Sequence, residues 1–169
     1  MNKTIESALN QQINMELEAY YTYLGASAFF DEMGLKGFAE WMFHHAEEER
    51  AHAMKIYHYV LSRRGSITLH AIPAPKQAWE TAQDVVESAF AHEQKVTASI
   101  NNIVALARDE KDYATDSFLQ WFVDEQVEEE EVVDDILQKL KFIGDFRPGL
   151  YLLDRELAAM PAEEEGAAE

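Results

Sequence analysis

Glu16, Glu49, Glu93 and Glu129 each fall where the helical periodicity of this 169-residue chain calls for an apolar core residue. A buried carboxylate without a partner costs several kcal/mol or stays protonated. One such residue on each of four predicted helices therefore points to a multivalent cation shared at the centre of a bundle. Glu49 also opens the tetrapeptide Glu49-Arg50-Ala51-His52. Helical residues three apart share a face, so Glu49 and His52 can ligate one metal or two adjacent ones. Glu-x-x-His is frequent by chance in charged helices, and it is the convergence with Glu16, Glu93 and Glu129 that gives it meaning. The donor set is hard oxygen plus one nitrogen, which suits iron, manganese or zinc better than a soft metal and does not choose among them. Two metals bridged by a shared Glu would neutralise about four negative charges, whereas one divalent ion would leave excess charge buried, so charge balance favours a dinuclear site.

A second polar run, Asp124-Glu125-Gln126-Val127-Glu128-Glu129-Glu130-Glu131, lies around Glu129. Glu125 and Glu129 share the inward stripe, Gln126 flanks them and Glu128 stands one step off. Together with Glu48 they form a further nest of carboxylates beside the first pair. Glu130 and Glu131 read as a solvated helix face. Tyr20 and Tyr23 follow Glu16 at steps of four and seven, which puts the Tyr23 phenol on the wall of the same site. His44, His58, His70 and His92 read as surface or satisfied core residues, and only His45, one turn before Glu48 and Glu49, stands beside the cluster as a supporting group. Trp121 reads as core.

The elements that position these residues follow from the apolar spacing. From about Thr4 to Asp31, Leu9, Ile13, Glu16, Tyr20, Tyr23, Ser27 and Phe30 recur at three- and four-residue steps, and Gly34 marks a tight connection. A second helix is predicted from about Leu35 to Arg64, with Phe38, Trp41, His45, Glu49, His52, Ile56 and Tyr59 inward and Gly65 as its stop. The stretch from Gly65 to about Glu80 carries Pro73 and Pro75 and reads as a long loop. Helices of about 28 residues span roughly 40 Å, and a connection of about 16 extended residues covers roughly 50 Å, so the second and third helices can run parallel. Thr81 with Asp84 reads as a capping pair before Val86, Phe90, Glu93, Val96, Ile100, Ile103 and Ala107. After a break at Lys111-Asp112, the fourth helix runs through Phe118, Phe122, Glu125, Glu129, Val133, Ile136 and Leu140 to about Ile143, with Gly144 as its stop. Beyond Pro148-Gly149, a short amphipathic piece from Leu150 to Met160 must dock on something to be stable. The acidic tail 161–169 is expected to be disordered, leaving one domain over residues 1–160.

Composition bounds the function. Fourteen Lys and Arg against thirty-two Asp and Glu give a formal charge of −18, which repels nucleic acid and anionic lipid and concentrates cations. With no cysteine, thiolate metal sites and disulfides are excluded, and a reducing cytosol fits. The N-terminus lacks the apolar run of a signal peptide, and no stretch approaches roughly 18 uninterrupted apolar residues, so a cytoplasmic protein with no membrane partner is expected.

These motifs, in this order, resemble the prokaryotic non-haem ferritins. The similarity runs from Asn10-Gln11-Gln12-Ile13-Asn14-Met15-Glu16 through His45-Ala46-Glu47-Glu48-Glu49-Arg50-Ala51-His52, His92-Glu93-Gln94 and Glu125-Gln126-Val127-Glu128-Glu129-Glu130 to Gly149-Leu150-Tyr151-Leu152-Leu153-Asp154. The resemblance implies an all-α four-helix bundle of the ferritin type with a long crossover and a short fifth helix. It implies a ferroxidase centre in each subunit, with Glu16, Glu49 and His52 at one iron, Glu49, Glu93 and Glu129 at the other, and Gln126 and Tyr23 alongside. Glu48, Glu125, Glu128 and Glu129 match a third iron site. Fe(II) and O2 or H2O2 are the implied reactants, and a 24-subunit shell the implied assembly, its fifth helices around the fourfold axes. Asp116 matches one acidic residue of the threefold channels, while Leu119 stands where animal ferritins carry the second. Haem is not expected, because Arg50 takes the place of the methionine that follows the bridging glutamate in bacterioferritins. The fourth helix also lacks their second Glu-x-x-His.

Two other readings stay open at this point. A carboxylate-bridged peroxidase or oxygenase would keep its iron through turnover. A purely structural bundle with solvent-facing acids would bind no metal.

Overall fold

A computed structural model describes residues 1–160, and the expectation for the tail lies outside the described residues. Five helices follow one another: α1 (Lys3–Glu32), α2 (Lys36–Ser62), α3 (Ala82–Asp109), α4 (Tyr113–Ile143) and α5 (Arg147–Leu157). Side-chain caps of their own set the starts of α1, α3 and α4. Asn2 accepts from the Thr4 N–H, Asp112 accepts from the Thr115 N–H, and Thr81 and Asp84 form a reciprocal capping box, as their spacing predicts. Gly34 and Gly144 take positive φ after α1 and α4, a backbone conformation that glycine adopts without a Cβ penalty.

Gly65 acts differently from the expected stop. Arg64 takes the left-handed conformation after α2, and Gly65 is needed because a Cβ there would lie 2.7 Å from Val60 Cγ1. The fifth helix begins at Arg147 rather than Leu150, so Pro148 and Gly149 lie inside its first turn. Proline is tolerated there because a first-turn N–H has no partner within the helix.

The end of α1, the start of α2, the start of α3 and the end of α4 share one apolar cluster that includes Phe30, Phe38, Val86 and Leu140. The opposite ends share another with Ile5, Val60, Ile103 and Leu119. The starts of α2 and α3 thus lie at the same end of a four-helix bundle, and the 63–81 connection crosses its length. Side chains tie α2 to α4 along the bundle: Arg63 reaches Asp112, and Tyr59 hydrogen-bonds Thr115 at 2.9 Å. Between the two apolar clusters lies a buried polar layer.

α5 packs on α2 and α4. Asp154, itself buried, accepts from the Phe38 N–H at 3.0 Å and so caps α2 from across the chain. Leu119 is fully buried, and Asp116 is paired with Arg108 at 3.1 Å. No helix of the described residues is long and apolar enough to cross a membrane.

Candidate metal centre

The polar layer draws on all four long helices. α1 supplies Glu16 and Tyr23, α2 supplies His45, Glu49 and His52, α3 supplies Glu93, and α4 supplies Gln126 and Glu129, and every one of these is buried. Their place midway along each apolar stripe puts them at one level, because the helices lie side by side and rise equally per residue.

Burial next to like charges is the dominant electrostatic fact. It raises the pKa of Glu16, and it raises that of Glu49 further, where repulsion from Glu93, Glu16 and Glu129 adds to desolvation. Glu93 is pushed up to about 7, by burial first and then by Glu129, against hydrogen bonds from Tyr23 and Gln126. Glu129 behaves in the opposite way. Burial would raise its pKa, but the charge and hydrogen bond of His45 outweigh burial and hold it below the ordinary carboxylate value. For His45, burial favours the neutral ring, but Glu129 and Glu48 prevail and lift its pKa well above normal. The layer therefore holds protons where it has no stronger cation, the response expected of a crowded carboxylate site.

Tyr23 donates to Glu93, and burial followed by the Glu93 charge raises its own pKa well above the phenol value. Gln126 Nε2 donates to Glu93 Oε2 at 3.2 Å. His52 Nδ1 lies 3.6 Å from Glu49 Oε2. One oxygen each of Glu16 and Glu49 is buried without a hydrogen-bond partner, a costly arrangement that a cation between them would relieve.

Among the described residues, two triads of donor atoms lie within 4.8 Å of one another: His45 with Glu48 and Glu129, and His52 with Glu125 and Glu129. Glu16, Glu49 and Glu93 belong to neither triad, though Glu49 approaches His52. Glu128 is exposed and lines, with Glu40, Trp41, His45, Glu48, Glu129 and Leu157, a cleft that opens between α2 and α4 beside the layer. All ten residues expected at the site are thus in the layer or on this cleft and its border.

Several neighbours differ from expectation. His45 does not: its Nδ1 lies 3.2 Å from carboxylate oxygens of both Glu48 and Glu129, the supporting place that its one-turn offset from Glu48 and Glu49 implies. Trp121 is 36% exposed rather than core, edge-on to His52 with ring centroids 5.4 Å apart and capped by the Lys55 ammonium at 3.4 Å. Glu130 is half-buried and accepts from Thr97 at 2.5 Å, so it is no solvated residue. Gln12, on the Glu16 side of α1, went unread because an amide on an inward stripe carries no metal-ligand signature.

The comparison that decides the family is a match to the ferritin-like domain over residues 6–143. The chain belongs to the ferritin family. Among its relatives are bacterial non-heme ferritins: that of Staphylococcus saprophyticus is 43% identical over 164 residues, covering 97% of this chain and 98% of the relative. The Staphylococcus aureus protein is 39% identical over 165 residues, covering 98% and 99%. In three dimensions, an open-pore ferritin from the archaeon Archaeoglobus fulgidus superposes with a TM-score of 0.93 at 42% identity, over 95% of this chain and 99% of that one. These likenesses place the ferritin among the prokaryotic non-haem members and support iron storage as its broad function.

Proposed function

We propose that this ferritin is a ferroxidase that binds two Fe(II) ions within each subunit, oxidises them with O2 or peroxide, and releases Fe(III) to a mineral inside a hollow homo-oligomeric shell of 24 chains. The observation that carries the reading is the buried polar layer, in which carboxylates from four helices face one another with raised proton affinity and unpartnered oxygens. Such a layer is stable only with protons or cations in it.

In this reading Glu16, Glu49 and His52 hold one iron, Glu49, Glu93 and Glu129 hold the other, and Glu49 bridges. Arriving Fe(II) displaces the protons held by the raised carboxyls. Anionic oxygen stabilises Fe(III) more than Fe(II) because the higher charge gains more from it, which lowers the potential of the couple and drives oxidation. Two Fe(II) ions give one electron each, and O2 with two protons becomes H2O2. With peroxide as oxidant, the same two electrons and two protons give two waters. Tyr23 and Gln126 orient Glu93 throughout. Glu48, Glu125, Glu128 and Glu129, around the cleft between α2 and α4, receive iron that leaves the centre. The chain's charge of −18 attracts the ferrous substrate, and the proposed setting is the cytosol.

Assembly is supported by the apolar residues at the α5 end, where Phe142, Phe146, Tyr151 and Leu152 are each more than half exposed. A neighbouring subunit would cover them.

Glu49→Ala tests the assignment. The variant is expected to assemble, to lose tight binding of both ions in anaerobic titration, and to lose rapid Fe(II) oxidation in stopped-flow. Oxidation at the parent rate would overturn the reading.

A further inference from the structure

Two amides grip carboxylates of the centre from opposite sides, and each leans on a hydroxyl of α3. Gln126 on α4 donates to Glu93 and lies 3.4 Å from Thr97 Oγ1. Gln12 on α1 donates through Nε2 to Glu16 Oε1 at 2.8 Å, and its own Oε1 accepts from Ser99 Oγ at 2.5 Å. Its remaining amide hydrogen has only Met15 Sδ, 3.8 Å from the nitrogen. Gln12 is 1% exposed and Glu16 is fully buried, so the bond between them is shielded from bulk water, while Ser99 is half-buried.

The chemistry of the three groups fixes their order. Once a bound cation has displaced its proton, the Glu16 carboxylate only accepts, so it must face the NH2 end of the amide. The carbonyl end then needs a donor, and the Ser99 hydroxyl supplies it. Flipping Gln12 would set a carbonyl against a carboxylate in a dry interior, leaving two buried acceptors in contact. With one lone pair of Oε1 engaged in this way, Oε2, which is buried and takes no bond from Gln12, is the oxygen of Glu16 freer for a cation.

We propose that Gln12, braced by Ser99, is a positioning residue that restricts Glu16 to one-oxygen ligation of the iron it shares with Glu49 and His52. A carboxylate that ligates through both oxygens fills two coordination positions. Held to one, Glu16 leaves a position on that iron open to the oxidant. The inference rests on the ligand set of the proposed function and concerns how one of those ligands is presented.

The test uses the assembled full-length protein, with Co(II) under anaerobic conditions as a spectroscopic probe, because five-coordinate Co(II) absorbs visible light more strongly than six-coordinate Co(II). The parent protein is expected to bind two Co(II) per subunit, at least one of them five-coordinate. Gln12→Leu keeps the stoichiometry but shifts one ion towards six-coordination, with weaker visible bands. It lowers kcat for Fe(II) oxidation about tenfold and leaves KM for Fe(II) within about twofold, the pattern of an interaction that matters after binding. Ser99→Ala moves spectrum and kcat in the same direction, whereas Ser99→Thr, which keeps the hydroxyl, restores both. Should Gln12→Leu fail to fold, the Ser99 pair carries the test alone. A variant set with the parent spectrum and kcat while the parent binds two ions overturns the role of Gln12 only. A parent protein that binds no Co(II) at the layer overturns the ligand set, and this inference with it.

Discussion

His45 and Glu129 meet across the gap between α2 and α4, Nδ1 and Oε2 3.2 Å apart, with a Glu48 oxygen at the same distance from the same nitrogen. The imidazole thus stands between a carboxylate of the buried layer and one of the neighbouring cleft. It also keeps Glu129 ionised against burial, which Glu16, Glu49 and Glu93, with their raised pKa values, do not enjoy.

His45→Leu removes that partner and leaves Glu129 buried and unpaired. Breaking a buried pair on one side costs about 3–5 kcal/mol, less where the stranded group can take up a proton. The variant should unfold at lower denaturant in chelator-treated solution. Zn(II) should recover part of the difference, because a cation can take over the partnership with Glu129 and Glu48. Chemical denaturation with and without Zn(II) checks this, and an equal midpoint loss under both conditions would count against a cation at this triad.

The raised carboxyls make a second prediction, in pH. Glu93 titrates at about 7 when folded against an ordinary 4.5, and Glu16 and Glu49 are raised in the same direction. Between those values the folded chain holds more protons than the unfolded one, so their contribution to stability falls as pH rises and is lost through the folded pKa. His45, also raised, acts with them. His92, lowered to about 4 by burial and Lys95, acts the other way, but its effect is complete by its ordinary value of 6.5. Chelator-treated protein should therefore lose stability from pH 6.5 to 8.5. Saturating Zn(II) should flatten or reverse the trend, since ions at 100 times their Kd add about 2.7 kcal/mol and bind more tightly as protons leave. Denaturation curves at three pH values, with proton release measured in weak buffer, would decide it.

Tyr23→Phe deletes one hydrogen bond to Glu93 and leaves the ring in place against His92 and His45. That bond lowers the Glu93 pKa, so its loss should strengthen proton competition with the metal. The shell should assemble normally, while the apparent affinity for the second ion falls about tenfold, the worth of about 1.4 kcal/mol for a hydrogen bond to a charged group. Titration at pH 6.5 and 8.5 distinguishes this from a packing defect, because the deficit should shrink at the higher pH.

Much of this architecture was legible from spacing alone. The stripes that carry Glu16, Glu49, Glu93 and Glu129 gave the helices and their inward faces, and Thr81 with Asp84 and the glycines at 34 and 144 gave three of their ends. What spacing could not give is which residue sits opposite. Glu130 looked solvated because its own helix turns it off the core stripe, yet Thr97 reaches it from α3. Trp121 looked like core because its size argues for burial, whereas Lys55 covers a ring left partly in water. Gln12 escaped for the same reason, since Ser99 reaches it from α3. The N-terminus of α2 has no side-chain cap of its own, and the residue that serves it stands 116 positions away.

That distant cap yields the last prediction. Gly37 and Phe38 at the start of α2 face Asp154 of α5 so closely that a Cβ on Gly37 would lie 1.8 Å from the Asp154 carbonyl oxygen and 2.9 Å from the Ala158 nitrogen. Both obstacles are backbone, which cannot rotate away, so Gly37→Ala must push α5 off α2 and break the Asp154 to Phe38 hydrogen bond. Asp154→Asn keeps an acceptor but loses the charge that favours a helix N-terminus, a loss of about 0.3–1 kcal/mol. Glu49 and His52 lie about three to four turns further along α2 than this contact, so both variants should retain two-ion binding. Assembly should separate them: Gly37→Ala displaces the apolar face around Tyr151 and Leu152 and should yield smaller particles by size-exclusion chromatography, while Asp154→Asn should remain at the parent size with a modest loss of thermal stability. Full-size particles from Gly37→Ala would mean that the placement of α5 on its own subunit does not govern assembly.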